Sequence, residues 1–332
     1  MSATLNHLLR DLRPFLDDPD VEEICINGPG TLWLWKHGQF TAYPTTLRAI
    51  DIENIAIVAG ALRRQNVGHN QPLLATDLGG AGRLQVVLPP CVEAGKPSLT
   101  IRRGSSFSPT IAHLASGGLF TKTRGRRRDG NAADSDLVRL YHAGDWHAFF
   151  EVAVRAKKTI VLAGETASGK TTLAKALIDS IPLHERLITI EDTPEWTNLP
   201  HPNRVALYYD KNKSSNVQAG DLVEAALRMR IGRLLLQEIR DGSAATAFLQ
   251  ALQSGHAGGI TTVHATSAEG TFDRLRVMIK QVPSGASMAD ADVMTQLQSL
   301  IDVVAHCQRG PDGFSISEVW FAPVALAQQV AA

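Results

Sequence analysis

Cysteine is scarce in this chain of 332 residues. Its three cysteines, Cys25, Cys91 and Cys307, are scattered and odd in number. They have neither the paired spacing of a zinc site nor the density of a disulfide scaffold, and a reducing cytoplasm suits them best. Net charge is absent too: 33 Lys and Arg balance 33 Asp and Glu. Coating nucleic acid through bulk charge needs a basic excess, so that class is excluded and no sequence-specific nucleic-acid contact is expected. Long apolar runs are also missing. No stretch of about 18 apolar residues occurs, so no transmembrane helix is expected. The opening MSATLNHLLRDLRPF lacks the apolar core of a signal peptide. Work at a membrane would have to be peripheral.

What is present reads as globular protein. Hydrophobic residues make up 44% and charged residues 20%, and the length suits roughly two domains. Residues 1–118 read as a smaller α+β domain. Leu5, Leu8, Leu9, Leu12 and Phe15 recur at helical spacing. Strand-like runs cover 22–27, 32–35, 83–88 and 98–102, with a helix over 52–66. Residues 119–134 are basic and poor in apolar side chains (Arg124, Arg126, Arg127, Arg128). They read as a flexible linker, with contact to an anionic membrane surface as the second reading. From 135 to 332 strands and helices alternate, which implies a parallel-rich sheet with helices on both faces.

The most specific signal is Gly164-Glu165-Thr166-Ala167-Ser168-Gly169-Lys170-Thr171, a match to G-x-x-x-x-G-K-[ST]. An apolar strand, Thr159 to Ala163, runs into it, and a helix-forming run starting at Thr172 leaves it. Loop amides and a helix N-terminus offer N–H groups to phosphate oxygens. Lys170 brings a charge to the β- and γ-phosphates of ATP, and the Thr171 hydroxyl is a ligand for Mg²⁺. Ala167 stands where such loops often have glycine, and it would be strained if that position needs a positive φ.

Two acids end predicted strands, Glu191 (followed by Asp192) and Glu238. Ligands of open α/β sheets bind at the carboxyl ends of strands, so both are expected at the phosphates, with Glu238 also a Mg²⁺ candidate. Each has a bland alternative as a cap or solvated strand end, weakest for Glu238, which closes the run Leu234-Leu235-Leu236-Gln237. His264 ends a third strand beyond the glycine-rich turn Gly255–Gly259, and is as well read as a core histidine as a catalytic one.

The ordered segments GETASGKT, TIEDTPEW, ALRMR with RLLLQEIRDGSA, and SGHAGGITTVHAT resemble the secretion-ATPase superfamily. The nearest branch is the traffic ATPase of type IV secretion and conjugation systems. The first domain fits through VEEICINGPG, RLQVV and IRR, so the resemblance spans nearly the whole chain. It implies a RecA-like ATPase domain behind the α+β domain, nucleotide between the two, and a homo-hexameric ring. It also implies other secretion components as partners at the cytoplasmic face of the inner membrane. N-terminal arginines reach the terminal phosphates in that family, and Arg83, Arg102 and Arg103 occupy the matching positions. Arg228 matches an arginine-containing stretch ahead of the second acid. Ile231-Gly232 replaces the usual Pro-Asp there, and Gln237 stands where glycine is common. A pilus-retraction or type II secretion motor is the alternative within the superfamily, disfavoured by the lack of a four-cysteine zinc site. A nucleotide-gated scaffold and a small-molecule kinase are weaker alternatives.

Overall fold

Side chains of the first domain alternate across a sheet, and one face is apolar. The computed structural model describes residues 2–79, 82–104, 110–121, 123, 132–209 and 216–331. The chain begins with α1 (Ala3–Leu8), a 3-10 turn (Arg10–Leu12) and α2 (Arg13–Asp17). Strands β1 (Val21–Ile26), β2 (Thr31–Lys36) and β3 (Gln39–Pro44) follow, then α3 (Ala49–Leu62), β4 (Leu73–Asp77), β5 (Arg83–Val87) and β6 (Ser98–Arg102). They form an antiparallel sheet in the order β3-β2-β1-β6-β5-β4. Ile24, Ile26, Leu84, Val86, Leu99 and Ile101 meet Leu5, Leu9, Ile52, Ile55 and Ala59 in one core. The opposite face buries polar groups, among them Glu23, Gln85, Ser98 and Thr100.

After α4 (Ile111–Ser116) come α5 (Ala132–Ala143) and α6 (Trp146–Arg155). Most of the span read as a linker lies outside the described residues. Its end is helical: α5 begins at Ala132, the Asp134 carboxylate is 2.6 Å from the Lys158 ammonium, and Leu137 and Leu140 join Phe149 in a core.

The second sheet is built from β7 (Ile160–Gly164), β8 (Leu187–Glu191), β9 (Arg204–Tyr208), β10 (Arg233–Ile239), β11 (Ile260–Val263), β12 (Val303–Gly310) and β13 (Gly313–Phe321). Between and after them run α7 (Lys170–Asp179), α8 (Ala219–Ala226), α9 (Gly242–Gln253), α10 (Ala268–Lys280), α11 (Pro283–Ala286), α12 (Asp290–Leu300) and α13 (Ala322–Ala331). The order is β13-β12-β7-β11-β10-β8-β9, parallel except for β13. Val161, Ala163, Leu234 and Leu236 point into one core, and Ile160, Leu162, Leu187 and Leu235 into the other. Cover on both faces is what lets these strands be apolar throughout.

Parallel strands place all their amino ends on one edge. The first domain docks at that edge. Arg186, just before β8, donates to the Oδ1 atoms of Asn27 (2.9 Å) and Asn203 (2.5 Å). Arg230, ahead of β10, lies 3.2 Å from the Glu23 carboxylate, with its guanidinium 4.1 Å from the centre of the Trp35 ring. Contact also runs along β9 to its carboxyl end, where Val92 bridges Leu207 and the Tyr208 N–H donates to the Cys91 carbonyl.

Glu23 is 3% exposed, and among the described residues its cationic neighbours within ion-pair distance are Arg230 at 3.2 Å and Arg102 at 3.7 Å. Arg230→Ala is therefore expected to cost about 2 kcal/mol in chemical denaturation. Adding Glu23→Gln should recover most of that, because a neutral amide leaves no buried charge. A single variant as stable as the parent would show the contact to be idle.

Candidate nucleotide-binding and catalytic site

The carboxyl edge of the second sheet gathers the residues expected to work on nucleotide. β7 ends at Gly164 (φ 144°), and Gly169 (φ 92°) opens α7. A Cβ on Gly164 would stand 2.2 Å from the Cys307 carbonyl oxygen, so only glycine fits. Ala167 has φ 61°, so the loop does hold alanine in the left-handed region, at a cost of roughly 1–2 kcal/mol. The Ser168 hydroxyl donates to the Glu165 carbonyl. The Lys170 ammonium donates to the carbonyls of Gly164 (2.8 Å) and Glu165 (2.5 Å), which curls it back over the loop. Burial pushes its pKa below the ordinary lysine value, with the Glu238 charge opposing the shift. Glu165, Thr166, Thr171 and Thr172 are exposed, so the loop and the helix N-terminus face solvent.

Glu238 sits in β10 among cations. Its carboxylate is 3.2 Å from His264 Nε2 and accepts from Arg240 at 2.9 Å. Burial raises its pKa above the usual carboxylate value, with the charges of His264 and Lys170 opposing. His264 Nδ1 lies 3.3 Å from the Gly164 carbonyl oxygen. His264 thus bridges the phosphate loop and the Glu238 acid. Arg240 also pairs with Asp192 at 2.8 Å, and the Gln237 side chain accepts the Asp192 N–H. The glutamine that departs from the common glycine therefore ties the strand of the second acid to the loop after the first.

Glu191 behaves differently. It is 1% exposed. One carboxylate oxygen accepts from the Thr189 hydroxyl at 2.7 Å, and the other accepts the N–H groups of Glu195 and Trp196 at 2.9 Å each. Both oxygens are occupied by its own loop, so this acid anchors a turn and is poorly placed to orient water. Arg240 is the residue that the sequence reading missed. Its signal was present, a basic residue two positions after the second acid, but nothing local shows which carboxylates it joins.

The structure does not bring the arginines to the P-loop of their own chain. Arg83 and Arg102 are cross-strand neighbours, both exposed. Arg103 donates to the carbonyls of Asp18 and Val21. Arg228 pairs with Glu224 on α8 at 2.9 Å. Arg102 is 3.7 Å from Glu23, which meets Arg230 at the amino edge. β10 spans seven residues, roughly 20 Å at about 3.3 Å each, and separates that edge from Glu238.

Among the described residues no cluster of His, Cys, Asp and Glu could hold a metal by itself. Mg²⁺ is ordinarily held by substrate phosphates with one or two protein oxygens, and the exposed Thr171 hydroxyl with Glu238 fits that mode. A cleft of about 1500 Å³ lies elsewhere, between the domains at Trp33, Pro90, Trp196 and Tyr208. Its volume is no guide to the chemistry, because the P-loop does not line it.

A parallel-rich α/β sheet carrying a P-loop, an acid and a histidine on its carboxyl edge defines a RecA-like nucleotide-binding protein. Residues 126–328 match the type II/IV secretion system protein family, and the chain belongs to that family. It is 42% identical to Protein VirB11 of Rhizobium radiobacter, over 96% of this chain and 94% of that protein. It is 38% identical to the type IV secretion system protein VirB11 of Brucella suis, over 97% and 91%. The crystal structure of the VirB11 ATPase from the Brucella suis type IV secretion system, in complex with sulphate, superposes with a TM-score of 0.91 and 38% identity, covering 97% of this chain and 98% of that one. No described helix is long and apolar enough to cross a membrane.

The two glutamates should separate experimentally. Glu238→Gln is expected to keep the parent's stability and ATP binding while turnover falls by roughly 10² to 10³. Glu191→Gln is expected to lower stability by about 1–3 kcal/mol, since an amide turns an N–H toward donors that need an acceptor. Matching behaviour of the two variants in urea unfolding and turnover would contradict this division.

Proposed function

We propose that the chain hydrolyses ATP to ADP and phosphate, assembles as a homo-hexamer, and couples hydrolysis to pilus assembly and export of protein or DNA by a type IV secretion system. It would work with other secretion components at the cytoplasmic face of the inner membrane. The observation that carries this reading is the convergence of Lys170, Glu238 and His264 on one P-loop, in a chain 42% identical to a VirB11 protein.

In this reading the loop amides and Lys170 bind the phosphates, and Lys170 stabilises charge that grows on the transferring group. Glu238 orients the attacking water, and His264 holds Glu238 against the loop. Thr171, with Glu238, would hold Mg²⁺, which would neutralise charge on the phosphates when bound. Phosphate recognition by arginine comes from a neighbouring subunit, because the arginines of the same chain stand at the far edge of the sheet. Arg83 and Arg102 are the fitting pair. Like charges directly opposite each other destabilise a sheet, and a polyphosphate gripped between two guanidinium forks relieves that repulsion. Arg103 is occupied by its own domain.

Lys170→Ala is expected to lower turnover at saturating ATP by roughly 10² to 10³, and near-parent turnover would overturn the P-loop assignment. The arginine arrangement has its own test. Lys170→Ala chains and Arg83→Ala/Arg102→Ala chains, each impaired alone, should regain part of the activity when mixed. In such rings intact arginines of one chain meet an intact P-loop of another. Mixtures no more active than the average of their components would rule out the arrangement between subunits.

A further inference from the structure

The hairpin of β12 and β13 overhangs the phosphate loop. β12 runs parallel to β7, with Val303 opposite Ile160 and Cys307 opposite Gly164. β7 ends there, but β12 continues to Gly310 and β13 returns from Gly313. Residues 308–315 therefore project past the end of β7 on the side where the P-loop lies. This overhang is polar and glycine-rich (Gln308, Arg309, Gly310, Pro311, Asp312, Gly313), with one exception, Phe314. Phe314 is 59% exposed, and its Cβ, Cγ and Cδ2 lie within 3.1 Å of where a Cβ on Gly169 would stand. The side chain thus rests directly on the loop. Its cross-strand neighbour Arg309 is also exposed, and such partners share a face of the ribbon.

The sheet order gives a nucleotide its direction. Lys170, Glu238 and His264 mark the terminal-phosphate end, and β11 and β10, which carry the last two, flank β7 on one side. β12 and β13 flank it on the other. A triphosphate laid along the loop amides with its γ end at Glu238 sends its nucleoside toward the hairpin. An aromatic ring exposed on a polar hairpin, against the glycine that opens α7, presents the π-face that a base requires.

We infer that Phe314 is the base-stacking platform of the nucleotide site, with a nucleoside triphosphate as its ligand class. This inference rests on the P-loop reading above and extends it to the nucleoside end of the ligand. Stacking is tolerant of base identity, because every base has a π-face, so ATP and GTP should lean on Phe314 alike.

The test separates base from phosphate. Parent, Phe314→Ala and Phe314→Trp proteins are titrated with ATP and with inorganic tripolyphosphate. Phe314→Ala should weaken ATP binding by roughly 5- to 150-fold, the range set by losing one base–aromatic stack, and leave tripolyphosphate binding at the parent value. Phe314→Trp should keep ATP affinity near that of the parent. Parental ATP affinity in Phe314→Ala would overturn the inference, as would an equal loss for ATP and tripolyphosphate, which reports damage to the loop. A parent that binds neither ligand would instead overturn the P-loop reading, and this inference with it.

Discussion

A parallel sheet has two chemically unequal edges, and the rest of this molecule is arranged around that inequality. Strands β7, β11, β10 and β8 end together on the carboxyl edge, where β7 passes into the P-loop and Glu238 and His264 meet it. The amino edge carries Arg186 and Arg230, and there the first domain docks through Asn27, Glu23 and Trp35. One strand direction thus keeps the domain with Arg83 and Arg102 away from its own P-loop. The proposed ring, in which each chain would complete the site of the next, resolves this separation.

At the carboxyl edge the central interaction is electrostatic. Glu238 is largely buried, with His264, Arg240 and Lys170 around it. Charges in such surroundings interact more strongly than in water, and each lost partner leaves the others less compensated. Arg240 shares itself between Glu238 and Asp192, and Gln237 holds the Asp192 backbone. These contacts join the Glu238 acid to the loop after β8, which Glu191 pins from within. The interface between the domains mixes buried polar and apolar contacts: Glu23, Arg186 and Asn203 meet there, and Val87, Cys91 and Val92 of the first domain join Val205 and Leu207 of the second in one core.

Much of this was legible in the sequence wherever the signal is local. An apolar strand, framing glycines, Lys170 and a helical run sufficed to place the P-loop, whereas the positive φ of Ala167 was only a condition in the sequence and is settled by the backbone. Glu191 and Glu238 carry the same local pattern, an acid closing an apolar strand. Their hydrogen-bond partners distinguish them: the N–H groups of Glu195 and Trp196, which turn back only once the loop is folded, for one, and Arg240 with the distant His264 for the other. The edge chosen by the first domain was equally hidden, because it depends on contacts such as Arg186 to Asn27, far apart in sequence. Strand β9 was missed behind Pro194, Pro200 and Pro202, and the start of α5 was masked by the basic stretch ahead of it.

The central claim is that this chain works as a nucleotide-driven ring whose sites are completed between neighbours. Particle images of the purified protein with a non-hydrolysable ATP analogue test it most directly. The account predicts six-fold rings in which the domain bearing Arg83 and Arg102 of one subunit lies over the P-loop of the next. Monomers under these conditions, or rings in which those arginines cover the P-loop of their own chain, would contradict it.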